Sequence, residues 1–123
     1  MTINIAINGY GRIGRDLHRQ LLAHPEIELK AINSRADAPS HAMLLKYDSL
    51  YGILDADVEA RDGNLYVNGK EIKVFQEKEI ENLKWGEIGV DVVIESTGKF
   101  TKKIDASRHL TAGAKRVLIT APC

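Results

Sequence analysis

The run Ile3-Asn4-Ile5-Ala6-Ile7-Asn8-Gly9-Tyr10-Gly11-Arg12-Ile13-Gly14 decides how the rest of the chain is read. Ile3, Ile5 and Ile7 alternate, with Ala6 between the last two, which is the period of a strand closed by Asn8-Gly9. From Arg12 the period becomes that of a helix. Ile13, Leu17, Leu21 and Leu22 lie at i, i+4, i+8 and i+9, one apolar stripe that ends near His24-Pro25. Between strand and helix, Gly9 to Gly14 has the spacing G-x-G-x-x-G. A chain with 10 glycines in 123 residues produces such spacings by chance, so the context has to carry the reading. Here the loop follows a strand, opens an amphipathic helix and is succeeded by a second strand, which is the context a phosphate-binding loop requires.

Each glycine then has a physical role. Gly9 makes the tight turn, Gly11 lets the backbone approach a pyrophosphate with no Cβ in the way, and Gly14 lets the helix pack closely on the strand. The free N–H groups of the first helical turn, around Arg12 and Ile13, are expected to hold the pyrophosphate with help from the helix dipole. A dinucleotide is the expected ligand.

Outward from this unit, Ile27, Leu29, Ala31 and Ile32 form the second strand, closed by Asn33-Ser34. Strands joined by a helix within so short a stretch pair in parallel. Residues 35–41, with Pro39, read as a loop, and a short helix is expected over residues 42–47. Residues 58–61, 65–67 and 71–75 are short runs separated by Asp62-Gly63 and Asn68-Gly69. Asn-Gly supplies both positive-φ positions of a type I′ turn, so an antiparallel hairpin is inserted here. Val90, Val92, Val93 and Ile94 read as a third sheet strand. A helix over residues 103–112 stops at Gly113, and Val117, Leu118 and Ile119 make the last strand. The expected class is α/β: a Rossmann-type, mostly parallel sheet with flanking helices and a small antiparallel hairpin excursion. One domain over residues 1–123 accounts for all of it.

Composition bounds the function. The 17 Lys+Arg are matched by 17 Asp+Glu, which argues against a dedicated binder of nucleic acid or anionic membrane. Charged residues at 28 % and hydrophobic residues at 44 % are those of a globular chain. No apolar run approaches the ~20 residues of a membrane span, and no secretory signal precedes Asn8. The single cysteine, Cys123, excludes an internal disulfide and a multi-cysteine metal site. A reduced, cytoplasmic protein is expected.

The end of the second strand bears on the cofactor. Binders of NAD place an acid about 20 residues past the glycines to hold the adenosine ribose hydroxyls. In this chain that position is Ser34, followed by Arg35. A carboxylate repels a ribose 2′-phosphate, whereas a serine can donate to it and an arginine fork can pair with it. NAD or NADP is therefore expected, with NADP favoured. In the alternative, Asp37 swings in to do the acid's work and NAD is used.

Further blocks are distinctive. Ile7-Asn8-Gly9-Tyr10-Gly11-Arg12-Ile13-Gly14-Arg15, Leu45-Lys46-Tyr47-Asp48-Ser49, Asn68-Gly69-Lys70, Asn82-Leu83-Lys84-Trp85, Gly89-Val90-Asp91-Val92-Val93 and Glu95-Ser96-Thr97-Gly98-Lys99-Phe100 occur in this order. With Ala112-Gly113-Ala114-Lys115-Arg116-Val117 they resemble the N-terminal part of glyceraldehyde-3-phosphate dehydrogenase along the whole chain. That family oxidises an aldehyde phosphate through a cysteine thiohemiacetal, hydride transfer to a nicotinamide, and phosphorolysis. The resemblance implies cofactor roles for Asn8, Gly9, Gly11, Arg12, Ile13 and Gly14 at the pyrophosphate and for Asn33, Ser34 and Arg35 near the ribose. It places Lys78 near the adenine, Ser96, Thr97, Gly98 and Phe100 along the adenosine half, and Thr120 toward the nicotinamide.

Two departures stand out. Ser34 replaces the aspartate usual in this family, and the family's Ser-Cys-Thr-Thr-Asn nucleophile motif and catalytic histidine belong to a later part of its sequence. Catalysis by Cys123 is not expected, since a reactive thiolate needs a base or helix N-terminus beside it. The resemblance thus implies a cofactor domain whose partner is its own catalytic domain, in a homotetramer, with the isolated chain binding dinucleotide without turnover. A domain of erythrose-4-phosphate dehydrogenase and a non-catalytic nucleotide- or RNA-binding module are the alternatives.

The remaining features have plainer readings. His18, His24, His41 and His109 show no metal-site spacing, and His18 and His109, within helices, are expected at the surface or an interface. Lys99, Lys102, Lys103, Arg108, Lys115 and Arg116 read as a solvated face, with no aromatic platform for a nucleic acid. Trp85 is expected to cap the core beneath the hairpins, and Tyr47 and Tyr51 to serve packing or an interface.

Overall fold

The computed structural model describes residues 2–35, 37–48, 52–53, 56–77, 80–96 and 103–119. Strand β1 (Ile3–Asn8) leads through Gly9-Tyr10-Gly11 into helix α1 (Arg12–Leu21), and β2 (Ile27–Asn33) follows. Helix α2 (Ala38–Lys46) comes next, then a two-residue pair β3 (Tyr47–Asp48) and β4 (Gly52–Ile53). The hairpin strands are β5 (Val58–Arg61), β6 (Asn64–Val67) and β7 (Lys70–Phe75). A short 3-10 helix (Ile80–Leu83) precedes β8 (Val92–Glu95), α3 (Lys103–Thr111) and β9 (Arg116–Ile119).

The main sheet has the order β5-β6-β7-β2-β1-β8-β9. The strands from β7 to β9 run parallel, and β5 and β6 are antiparallel to their neighbours. β1 is central. The chain moves out from it to β2 and β7, then returns to its other side for β8 and β9. That reversal of strand order falls at β1, and ligands of such sheets bind outside the carboxyl ends of the strands at this point.

The alternation of β1 divides the core in two. Ile5 and Ile7 join Tyr10, Leu29, Ile32, Leu45, Leu65, Val67, Ile72 and Ile94 in one buried cluster. Ala6 joins Ala31, Leu83, Trp85, Val90, Val93, Ala112 and Ala114 in the other. Each large side chain so buried contributes about 1.5–3 kcal/mol. In β2 the alternation slips at Lys30, because Ile5 pairs with Leu29 but Ala6 with Ala31. That one-residue bulge puts Leu29 and Ile32, three positions apart, in the same cluster, with Ala31 in the other. The Asn68-Gly69 turn is type I′ in character, with φ of 52° and 82°, and it joins β6 to β7 as its composition requires.

Several expectations change in the structure. The helix expected over residues 42–47 begins earlier, at Ala38, because Asp37 is its N-cap and Pro39 lies in the first turn. Proline is favoured there, since its missing N–H has no intrahelical partner to lose, so Pro39 starts the helix rather than marking a loop. The strand expected from Val90 starts at Val92. Trp85 packs on the α3 side of the sheet, away from the cluster that holds hairpin residues Leu65, Val67 and Ile72. Its ring meets Phe75 edge-on at 6.1 Å. His18 and His109 are buried, at 2 % and 0 % exposure, because each has a partner that satisfies its ring. Among the described residues, no helix is long and apolar enough to cross a membrane.

Candidate functional site

The site is built where β1, β2 and β8 end side by side, with Asn8 in register with both Asn33 and Glu95. The glycine loop leaves β1 here, and its inward-facing carbonyls are all taken by protein. The Gly9 amide donates to the Asn33 carbonyl at 2.7 Å, and the Ser96 amide to the Asn8 carbonyl at 2.9 Å. The Ser96 hydroxyl donates to the Gly9 carbonyl at 2.5 Å, and the Arg15 guanidinium to the Tyr10 carbonyl at 3.1 Å. Helix α1 then begins with Gly11 as an N-cap that has no side-chain bond to offer, and with no acid in the first turn. Its leading N–H groups are left for an anion from outside the chain.

The two later glycines differ in what a side chain would meet. A Cβ on Gly14 would lie 2.6 Å from the Gly9 carbonyl, 3.2 Å from Ile7 Cγ2 and 3.3 Å from Ser96 Oγ. A Cβ on Gly11 would meet nothing within 4 Å. Gly14 is thus demanded by the protein's own packing, whereas the space over Gly11 is open for a ligand to approach the backbone. The residues present fit a pyrophosphate.

Beneath the loop, Tyr10 is anchored to the helix it precedes. Its phenol lies 2.6 Å from Nδ1 of His18. Burial raises the phenol's pKa, so Tyr10 keeps its proton and donates it. Burial also lowers His18 to about 4, leaving a neutral ring that accepts on Nδ1. His41 packs edge-on against the Tyr10 ring at 5.0 Å.

On the other face a buried polar chain runs across the strand ends. Asn33 clamps the backbone of Glu77, accepting from its amide at 2.9 Å and donating to its carbonyl at 3.0 Å. That fixes the orientation of the Asn33 amide, which also donates to Asn8 Oδ1 at 2.8 Å. Asn8 in turn donates from Nδ2 to Glu95 Oε1 at 2.7 Å. His109 Nε2 meets the same oxygen at 2.7 Å, and Trp85 Nε1 donates to His109 Nδ1 at 2.9 Å. Sequence reasoning missed Glu95, His109, Trp85 and Glu77 as members of one network. The available signal was a carboxylate closing the apolar run Val92-Val93-Ile94, since a charge there must find donors.

Of the residues named from sequence, Asn8, Gly9, Gly11, Arg12, Ile13 and Gly14 lie in the loop and helix start, Asn33, Ser34 and Arg35 at the end of β2, and Ser96 at the end of β8. Lys78, Thr97, Gly98, Phe100 and Thr120 lie outside the described residues, as do Tyr51, Lys99, Lys102 and Cys123. Ser96 spends its hydroxyl on the loop itself. Ser34 is partly exposed, with its amide held by the Phe75 carbonyl at 3.0 Å, and Arg35 is exposed. Asp37 accepts from the Ser40 amide at 3.0 Å as the cap of α2, and hydrogen bonding from Ser40 lowers its pKa.

Comparisons with known proteins agree with this geometry. The profile described as "Glyceraldehyde 3-phosphate dehydrogenase, NAD binding domain" matches residues 3–103. The chain is 57 % identical over 122 residues to glyceraldehyde-3-phosphate dehydrogenase of Geobacillus stearothermophilus, covering 99 % of this chain and 36 % of that protein. It is 52 % identical over 122 residues to glyceraldehyde-3-phosphate dehydrogenase 1 of Bacillus subtilis, with the same coverage of 99 % and 36 %. For the enzyme of Salmonella typhimurium the values are 52 %, 99 % and 37 %. The chain therefore spans about a third of the length of the curated relatives it matches. With the glycine loop on a central parallel strand and this match across nearly all its length, the chain belongs to the glyceraldehyde-3-phosphate dehydrogenase family, in the part described as its NAD-binding domain.

Proposed function

We propose that this chain holds a nicotinamide dinucleotide across the carboxyl ends of β1, β2 and β8, as the cofactor-binding part of a phosphorylating glyceraldehyde-3-phosphate dehydrogenase. The observation that carries the reading is the start of α1: uncapped by any side chain, free of acids, and open over Gly11. Asn8, Gly9, Gly11, Arg12, Ile13 and Gly14 form the pyrophosphate cradle in this reading, with Asn33, Ser34 and Arg35 at the adenosine ribose. Lys78, Ser96, Thr97, Gly98, Phe100 and Thr120 are assigned to the adenine, adenosine and nicotinamide sides from the resemblance. The bound nicotinamide supplies a hydride acceptor; the chain's own residues bind it and orient it. The aldehyde phosphate and its thiol nucleophile belong to a catalytic domain with which this one works.

For the adenosine side, the reading is that NADP is accepted and favoured over NAD. The absence of an acid at Ser34, the neighbouring Arg35, and the commitment of Asp37 to the cap of α2 support it. Titration calorimetry with both dinucleotides tests the two levels separately. Binding of either one supports the cofactor role, and binding of neither refutes it. NAD binding as tight as NADP refutes the preference alone, and Ser34→Asp is expected to swing any preference toward NAD. Turnover is expected to be absent; phosphate-dependent aldehyde oxidation by the purified 123-residue chain would contradict that.

A further inference from the structure

Four separate stretches carry the proposed cofactor contacts: the glycine loop after β1, Ser34-Arg35 after β2, the segment after β7 that contains Glu77, and the segment after β8 that begins with Ser96. The main-chain ladder registers the strands, but it ends at the Asn8–Asn33 and Asn8–Glu95 pairs. Beyond those pairs single main-chain bonds reach one residue further, from Gly9 to Asn33, Ser34 to Phe75 and Ser96 to Asn8. Side chains supply the links that reach Glu77 and tie the strand ends to one another. Asn33 bonds Glu77 on one side and Asn8 on the other, and Asn8 bonds Glu95. All three side chains are buried, with Glu95 at 1 % exposure.

The far end of the chain fixes its polarity. The Trp85 indole has only a proton to give, so Nδ1 of His109 must present a lone pair. His109 is then the neutral Nε2–H tautomer, and its proton goes to Glu95 Oε1. An imidazolium–carboxylate ion pair is excluded by the same argument. Glu95 Oε1 is therefore an acceptor for two donors, Asn8 and His109, whose nitrogens lie 3.4 Å apart.

We propose that Glu95 is a positioning residue for the cofactor. Working through Asn8 and Asn33, it holds the glycine loop, the end of β2 and the Glu77 segment at the mutual spacing that a dinucleotide spans. This rests on the dinucleotide reading given above. A ligand that touches two of these stretches at once needs them at fixed separation, and displacements of less than an ångström are felt. A ligand that touches only one stretch does not. Glu95 touches no part of the cofactor in this account.

The test compares a spanning ligand with a short one. NAD binding is measured by calorimetry and adenosine binding by NMR shifts at millimolar concentration, for the wild-type chain, Glu95→Ala, Glu95→Gln, Asn33→Ala and the Glu95→Ala/Asn33→Ala double variant, with thermal melting of each. Glu95→Ala leaves Asn8 without its acceptor. It is expected to weaken NAD about tenfold, within the scale on which members of one hydrogen-bond network couple, and to change adenosine less than about twofold. Glu95→Gln keeps an accepting oxygen and is expected to retain most of the affinity. The Glu95→Ala and Asn33→Ala effects on NAD are expected to be less than additive, because both interrupt the same chain of bonds through Asn8. Equal losses for NAD and adenosine, additive effects, or a lower melting temperature with NAD affinity unchanged would overturn the proposal and leave the dinucleotide reading standing. If the wild-type chain binds neither NAD nor NADP, both fall. Should Glu95→Ala fail to fold, Glu95→Met fills the same space without an oxygen to accept from Asn8. It is expected to weaken NAD selectively, and wild-type NAD affinity in that variant would equally overturn the proposal.

Discussion

Tyr10, the residue between the first two glycines of the loop, donates its phenolic proton to His18 two turns along the helix that the loop opens, at 2.6 Å with both side chains buried. The pair pins the loop to its own helix from beneath. It leaves the loop's outer face free for a ligand. It also explains how a histidine can sit on the apolar side of α1 without charge.

The pair makes stability depend on pH. His18 has its pKa lowered by burial from 6.5 to about 4, so between these values the unfolded chain binds a proton that the folded chain does not. The contribution is full above about pH 6.5 and is lost as pH falls toward 4, amounting to roughly 3 kcal/mol for a shift of this size. Urea denaturation between pH 4 and 7 is expected to show that decline, and His18→Phe to flatten it.

Removing one partner of the pair should be worse than replacing both. Tyr10→Phe leaves Nδ1 of His18 buried without its donor and is expected to destabilise by about 1–3 kcal/mol at pH 7. Tyr10→Phe with His18→Phe removes the unmet acceptor and is expected to recover most of the loss. Chemical denaturation of the two single variants and the double variant measures the non-additivity; additive losses would contradict the pairing.

Gly11 and Gly14 are expected to separate binding from folding. Gly14→Ala pushes a methyl onto the Gly9 carbonyl and should destabilise by about 1–3 kcal/mol, as overpacking does. Gly11→Ala meets nothing within 4 Å, so melting is expected to stay near the wild-type value while dinucleotide affinity falls at least tenfold. Differential scanning fluorimetry with and without NAD distinguishes the two.

Asp37 is expected to matter for α2 and not for the cofactor. Asp37→Ala removes the bond to the Ser40 amide and should lower the melting temperature, whereas Asp37→Asn keeps a capping oxygen and should not. Dinucleotide affinity is expected to be unchanged in both. A weakened NAD complex in Asp37→Asn would return this residue to the ribose.

The loop carbonyl held by Ser96 offers a fifth measurement. Ser96→Ala leaves the Gly9 carbonyl without its side-chain donor and is expected to destabilise by about 1 kcal/mol. The loop geometry relaxes with it, so a several-fold loss of dinucleotide affinity should accompany the stability change in the same calorimetric titrations.

What the sequence determined by itself was whatever depends on short-range pattern. The alternation of Ile3, Ile5 and Ile7, the stripe through Leu17 and Leu21, the glycine spacing and the Asn68-Gly69 turn are local constraints, each satisfied within a few residues. They specified the β–α–β unit, the hairpin and the phosphate loop. Pro39 misled because proline marks both a loop and a helix start, and the Asp37 cap decided between them. The tertiary structure alone decided the fate of the buried polar groups. His109, Asn8, Asn33 and Glu95 look like surface or loop residues in a linear reading, because their partners are distant in the chain, 87 positions for Asn8 and Glu95 and 25 for Asn8 and Asn33. Burial of a polar side chain is tolerable only with its hydrogen bonds made, and those bonds exist only once β1, β2, β8 and α3 have come together.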